Sequence, residues 1–161
     1  MVLLAAVALL IRGVGGERGP EEPTPEPPRR ATAEVLRVID GDTIEVSVGG
    51  DEEDVRYIGV DTPESVTPGE PVECFGPRAS AFNQRLVAGR AVTLRFDAER
   101  RDRYGRLLAY VYVGARLVNA ELVQRGFART LTIPPNDSRA GLFARLEAEA
   151  GRAGRGLWGK C

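Results

Sequence analysis

Two segments, Ile39-Asp-Gly-Asp-Thr-Ile-Glu-Val46 and Val55-Arg-Tyr-Ile-Gly-Val-Asp-Thr-Pro-Glu64, decide the fold that this sequence predicts. Alternating apolar residues predict a β-strand in each, and Gly49-Gly50-Asp51 predicts the turn between them. The ends of these strands carry the carboxylates of Asp40, Asp42, Asp61 and Glu64. A strand end holds a side chain rigidly, so the pattern predicts a cluster of carboxylates at one edge of a small sheet.

The rest of the chain continues this pattern of strands and adds helices. Further strands are predicted over residues 35–39, 91–96 and 107–113, and helices over 74–89, 117–126 and 138–151. Gly76-Pro77 marks the start of the first helix, and Gly126 marks the end of the second. Five strands with one helix after the third and two helices at the end predict an α+β fold, a five-stranded OB-fold β-barrel with three helices.

The N-terminal part of the chain differs in composition from the rest. Residues 1–16 begin with a short apolar run that predicts a signal peptide or an N-terminal membrane anchor, the alternative being a misassigned start. Residues 17–32 are rich in proline and glutamate and predict an extended linker. The domain is then expected over residues 33–161, in a protein that is secreted or attached to the cell envelope.

The chain contains no histidine, which excludes every mechanism that needs an imidazole base, nucleophile or zinc ligand. The formal net charge of −1 neither favours nor excludes nucleic acid, because binding depends on where the charges lie. Basic residues are concentrated in one twelve-residue segment, which contains Arg95, Arg100, Arg101, Arg103 and Arg106.

Carboxylates beside arginines are what phosphodiester hydrolysis requires. Oxygen ligands from Asp42 and Asp61 can bind a hard cation such as Ca²⁺, a third carboxylate can activate water, and guanidinium groups can stabilise the phosphoryl oxygens. Each residue also has a simpler interpretation. Asp42 can be a turn residue, Glu64 a surface glutamate at the start of a loop, and Arg56 one half of a structural ion pair.

The combined motifs resemble the thermonuclease, or staphylococcal nuclease, family. They are Asp40-Gly-Asp-Thr43, Arg56, Val60-Asp-Thr-Pro-Glu64 and Asp102-Arg-Tyr-Gly-Arg106, and they occur in this order. The resemblance covers about Ala33 to Trp158. It implies a Ca²⁺-dependent phosphodiesterase that acts on DNA and RNA, single-stranded or frayed, with low sequence specificity and 3′-phosphate products.

The resemblance also assigns roles to residues. Asp42, Asp61 and the Thr62 carbonyl would bind Ca²⁺, while Asp40 would be either a neighbouring carboxylate or a turn residue. The catalytic residues would be Glu64, which activates water, and the arginines Arg56 and Arg106, which clamp the phosphate. Arg103 and Tyr104 would contact the substrate.

Leu131-Thr-Ile-Pro-Pro-Asn136 departs from the family, whose best-known member has tyrosines against the nucleotide in this segment. Base binding should therefore be weaker here. A non-catalytic nucleic-acid-binding module and a Ca²⁺-binding surface protein are the alternative functions. A monomer is expected.

Cys74 and Cys161 are the two cysteines of the chain. In an exported protein they can form a disulfide that ties the C-terminus to the first helix. The alternative is a half-buried Cys74 and a frayed terminal Cys161.

Overall fold

The computed structural model describes residues 29–65 and 72–161. Its strands are β1 (Arg30–Val38), β2 (Thr43–Val48), β3 (Asp51–Tyr57), β4 (Gly59–Asp61), β5 (Ala91–Arg95), β6 (Leu107–Val113), β7 (Arg116–Leu117) and β8 (Arg129–Leu131). Its helices are α1 (Gly76–Val87), α2 (Val118–Gln124), α3 (Ala140–Arg152) and α4 (Leu157–Lys160). The predicted leader, 1–16, and the linker up to residue 28 lie outside the described residues.

Five strands form a closed barrel in the order β3-β2-β1-β5-β6. Neighbours pair antiparallel, and the barrel is closed by a parallel pairing of β3 with β6, in which Val55 lies opposite Leu107. The first half of β1 pairs with β5 and the second half pairs with β2. The register of the pairing with β2 shifts between Val35 and Arg37. The prediction of an α+β OB-fold barrel with three helices is confirmed, with the short α4 added at the end.

The folded domain begins earlier than the sequence predicted. β1 starts at Arg30, and the backbone N–H of Phe96 donates to the carbonyl of Arg29, so the end of the predicted linker pairs with β5. Residues 30–32 form part of a strand because their backbone pairs with β5. Ala31 lies opposite Leu94 in this ladder, although the sequence before residue 33 shows no apolar alternation.

The predicted strand 55–60 is divided in two by Gly59, which has a φ of 78°. A Cβ atom at this position would lie 2.5 Å from the ring of Phe143 in α3, so the backbone bends where only glycine fits. β4 then leaves the barrel and pairs with β8, with Asp61 opposite Arg129. β7, β8 and α4 were not predicted from the sequence.

α1 packs against β1 and α2 and reaches the turn between β1 and β2. Asn83 of α1 is fully buried, accepts a hydrogen bond of 3.0 Å from the Tyr57 hydroxyl and donates one of 3.0 Å to the Asp40 carbonyl. Burial raises the pKa of Tyr57, so its hydroxyl stays a donor. The helix therefore fixes the backbone that carries Asp40 and Asp42.

Cys74 and Cys161 form a disulfide, with their Cα atoms 6.0 Å apart. Of the two alternatives for these cysteines, the structure shows the cross-link. Within residues 29–65 and 72–161, none of the helices is both long enough and apolar enough to span a bilayer.

Candidate active site

The turn between β1 and β2 places Asp42 next to Thr62. Asp40 Oδ1 accepts a hydrogen bond of 2.9 Å from the Asp42 N–H and so stabilises the turn. A Cβ atom on Gly41 would lie 2.5 Å from Thr62 Oγ1, so the close approach of the two segments requires glycine. The Asp-Gly-Asp sequence thus brings one carboxylate to the end of β4.

Asp42 is 4% exposed and both of its carboxylate oxygens accept hydrogen bonds. Oδ2 accepts from the Thr62 N–H at 2.7 Å and from Thr62 Oγ1 at 3.0 Å, and Oδ1 accepts from Thr43 Oγ1 at 3.1 Å. These donors orient the carboxylate and offset part of the cost of its burial.

Arg56 lies between the two carboxylates that were predicted to bind a cation. Its Nε is 3.2 Å from Asp42 Oδ1, and its Nη2 is 2.8 Å from Asp61 Oδ1. Its Nη1 donates to the carbonyls of Val60 and Tyr57 at 2.7 and 3.0 Å. The structural ion pair considered from the sequence is therefore present, and its partners are the proposed cation ligands.

Glu64 is held through its backbone at the start of the loop that leads to α1. Its N–H donates to the Glu73 carboxylate at 3.0 Å, and its carbonyl accepts from the Glu73 N–H at 2.9 Å. Its own carboxylate accepts from the Ser65 N–H at 2.7 Å. Gly76 packs against the Glu64 carbonyl so closely that a side chain there would clash.

One small cavity, of about 130 Å³, brings these groups together. It is lined by Asp40, Asp42, Thr43, Arg56, Asp61, Thr62, Pro63, Glu64 and Arg106. All of the predicted catalytic and cation-binding residues are in this set. We refer to it below as the cation cavity.

The charges in the cation cavity are four carboxylates and two arginines. Burial, followed by the negative charge of Asp42, raises the pKa of Asp40 to about 6. The carboxylates of Asp40 and Asp42 therefore repel each other, but burial is the larger cause of the raised pKa.

The possible metal ligands in the cation cavity fit a hard cation better than a soft one. They are carboxylate, hydroxyl and carbonyl oxygens, the ligands that Ca²⁺ takes, and the cavity has no sulfur or imidazole ligand. In the part of the chain that the structure describes, no three or more His, Cys, Asp or Glu side chains are arranged to hold a metal ion. The predicted set needs only two such side chains, Asp42 and Asp61, together with the Thr62 carbonyl.

A larger cleft of about 560 Å³ adjoins the cation cavity and shares Arg56 and Arg106 with it. Arg103 and Tyr104, the predicted substrate contacts, both line it. Tyr104 is 68% exposed, and the Arg103 guanidinium lies 4.7 Å from the centre of its ring. The cleft thus presents one exposed aromatic ring and three arginines, Arg56, Arg103 and Arg106.

Arg106 is positioned by Asp102, four residues earlier. Its Nε donates to Asp102 Oδ2 at 2.7 Å, and its backbone N–H donates to Oδ1 at 3.0 Å. Burial alone would raise the pKa of Asp102, but hydrogen bonds from the Arg106 side chain and the backbone outweigh burial and lower the pKa. The carboxylate therefore stays charged and aims the guanidinium into both cavities.

The larger cleft is also lined by the segment 131–136, which departs from the family pattern. Leu131 and Ile133 line the cleft and are 40% and 61% exposed. Asn136, 5% exposed, accepts from the Glu99 N–H at 2.7 Å and donates to the Glu99 carbonyl at 2.8 Å. These two bonds join the 131–136 segment to the loop that carries Arg103 and Arg106, and no local sequence pattern marks Asn136 for this role.

Comparison with known proteins places this chain in a family. A family model described as staphylococcal nuclease homologue matches residues 54–160. A thermonuclease of Staphylococcus intermedius is 39% identical over 158 residues, covering 98% of this chain and 94% of the relative. A thermonuclease of Staphylococcus hyicus is 40% identical over 127 residues, 79% of this chain and 75% of the relative. The Bacillus subtilis endonuclease YncB is 43% identical over 126 residues, 77% of this chain and 60% of the relative.

Proposed function

This chain belongs to the staphylococcal nuclease family, and from that premise we propose that it is a Ca²⁺-dependent nuclease that hydrolyses phosphodiester bonds in DNA and RNA. The observation that carries the proposal is that Asp42, Asp61, Thr62, Glu64, Arg56 and Arg106 line one cavity. A non-catalytic binding module would not need a carboxylate beside the cation ligands.

The cation would be held by the carboxylates of Asp42 and Asp61 and by the Thr62 carbonyl. Bound there, Ca²⁺ would neutralise negative charge on the phosphate and help to orient it. Arg56 already brings the two carboxylates close together, with contacts of 3.2 and 2.8 Å. The positive charge of Arg56 therefore offsets part of the repulsion between these two carboxylates before any cation binds.

Glu64 is the proposed general base. It takes a proton from a water molecule whose oxygen forms the new bond to phosphorus, while the bond from phosphorus to the 5′ oxygen breaks on the opposite side. The 5′ oxygen leaves and is protonated from solvent, so the products are a 5′-hydroxyl and a 3′-phosphate. Two hydrogen bonds hold the Glu64 backbone at the edge of the cavity, one from its N–H to the Glu73 carboxylate and one from the Glu73 N–H to its carbonyl.

The arginines stabilise the charge that builds up on the phosphoryl oxygens. Both guanidinium groups line the cation cavity and the adjoining cleft, so a phosphate between these spaces can accept hydrogen bonds from each. Such donors are most effective when carboxylates hold them before the substrate arrives. Asp102 does this for Arg106, and Asp42 with Asp61 does it for Arg56.

The substrate is proposed to be single-stranded or frayed nucleic acid, cleaved with low sequence specificity. Arg103 offers charge, Tyr104 a ring face, and Leu131 and Ile133 apolar contact. None of these contacts reads a particular base, whereas a flexible strand can follow all of them.

The test is a cleavage assay on a single-stranded oligonucleotide with Ca²⁺ or with excess chelator. We expect cleavage only with Ca²⁺ and 3′-phosphate ends on the products. The Glu64→Gln variant should bind the oligonucleotide but cleave it far more slowly. Undiminished cleavage in chelator would remove the cation from the mechanism, and binding without cleavage by the unmodified protein would establish the non-catalytic module.

We further propose that the protein is exported and acts as a monomer, secreted or attached to the cell envelope. The Cys74–Cys161 disulfide supports export, because such bonds persist in oxidising compartments. Cell fractionation with N-terminal sequencing would test this, and it would also separate a cleaved signal peptide from a retained membrane anchor. Recovery of the protein in the cytosol with both thiols reduced would contradict it.

A further inference from the structure

A third cavity, of about 370 Å³, lies on the other side of the cation cavity from the larger cleft. It shares Asp61, Thr62 and Pro63 with the cation cavity, whereas the cleft shares Arg56 and Arg106 with it. The cleft and the third cavity have no lining residue in common. The cation cavity therefore lies between two larger spaces.

The remaining walls of the third cavity come from segments that are far apart in sequence. Glu73 and the Cys74–Cys161 disulfide form one part, and Arg129 and Leu157 form another. A volume of this size falls within the roughly 300–1,000 Å³ of small-ligand sites. One nucleoside fits in such a space.

Two carboxylate side chains, those of Asp61 and Glu73, line this cavity, and both have partners. Asp61 Oδ1 is 2.8 Å from Arg56 Nη2, and the Glu73 carboxylate accepts a hydrogen bond from the Glu64 N–H at 3.0 Å. These contacts reduce the negative potential that an entering phosphate would meet.

Arg129 supplies the positive charge of the cavity wall. It lies opposite Asp61 in the pairing of β8 with β4, and its guanidinium lies 4.7 Å from the ring centre of Trp158. Among the described residues, no carboxylate lies within ion-pair distance of Arg129. The ring holds the guanidinium in place while its N–H donors remain available to an anion.

Resting on the proposed function, we propose that the third cavity binds the nucleoside on the far side of the scissile phosphate and that Arg129 contacts the phosphate beyond it. A phosphodiester always joins two nucleosides. When one nucleoside occupies the cleft beside Tyr104 and the phosphate lies in the cation cavity, the strand continues past Asp61 and Thr62 to the second nucleoside. The third cavity is the space that adjoins those residues.

The test compares two probes with Ca²⁺ present, in a Glu64→Gln background that prevents cleavage. A nucleoside 3′,5′-bisphosphate has one nucleoside and fills the cleft, whereas a single-stranded tetranucleotide spans both sides. Arg129→Leu, which keeps an apolar side chain over Trp158, should weaken tetranucleotide binding about tenfold, the scale of one charge-assisted contact. Bisphosphate binding should stay within about twofold, and Arg129→Lys should restore part of the loss.

The matched control is Arg145→Leu, because Arg145 is exposed on α3 and lines none of the three cavities. It should change neither affinity. Equal weakening of both probes by Arg129→Leu would make Arg129 a structural partner of Trp158, and no weakening of either would exclude the contact. Either result overturns this proposal while Ca²⁺-dependent cleavage by the unmodified protein still stands, so the two proposals fail separately.

Discussion

Replacing Cys74 and Cys161 together with serine is expected to lower the free energy of unfolding by roughly 4 to 5 kcal/mol. The disulfide closes a loop with a sequence separation of 87 residues. In the chain-entropy description, a cross-link over a loop of that length removes about 15 cal/mol/K from the unfolded ensemble, which gives this value at 25 °C. The loss should therefore arise mainly in the unfolded state.

We expect the folded state to survive the double substitution. Leu157 is buried and its N–H donates to the Gly126 carbonyl at 2.8 Å, so the last helix is also held without the disulfide. Urea denaturation of the oxidised protein, the reduced protein and the double serine variant measures the effect. The midpoint should fall, and the slope should rise because the unfolded chain is no longer constrained.

The double serine variant is also the control for the reductant, which should leave its unfolding curve unchanged. A loss below about 1 kcal/mol with an unchanged slope would refute the reasoning, because it would mean that the cross-link does not restrict the unfolded chain.

Three further predictions concern the active site. Arg56→Lys should lower the single-turnover cleavage rate by about 10²–10³-fold and weaken substrate binding much less, because an ammonium cannot reproduce the guanidinium fork; a change in the Michaelis constant alone would make Arg56 a binding residue. Leu131→Tyr or Ile133→Tyr should tighten binding of a nucleoside 3′,5′-bisphosphate, measured by calorimetry, by about tenfold or more, since stacking on a ring is worth about 1–3 kcal/mol. Gly41→Ala should abolish Ca²⁺ binding in the same instrument, because the new Cβ would lie 2.5 Å from Thr62 Oγ1; unchanged affinity would show that the turn can move without disturbing Asp42.

The parts of the fold that follow from local sequence were predictable. Alternating apolar residues predict the barrel strands, and apolar residues at helical spacing predict α1, α2 and α3. Both patterns depend only on residues close together in the sequence. The carboxylates of Asp42 and Asp61 were found for the same reason, since each lies at the end of an apolar strand. The sequence did not predict that Arg56 contacts both carboxylates, although a charged residue within an apolar strand indicated that it has a partner.

The parts that depend on contacts between distant segments were not predictable. β8 has three residues, of which Arg129 and Leu131 are exposed, so it shows no apolar alternation; it is a strand because β4 offers it a backbone partner. The buried position of Asn136 likewise depends on the backbone of Glu99. Both larger cavities contain such residues, and the motifs alone describe only the cation cavity between them.

The contact between Gly59 and Phe143 has a consequence for biosynthesis. The chain is made from its N-terminus, so the segment from Asp42 to Glu64 leaves the ribosome well before Phe143. The barrel cannot close until β6 pairs with β3, and the bend at Gly59 lacks its packing partner until α3 has been made. A nascent chain therefore carries its carboxylates without the arranged site until α3 has been made.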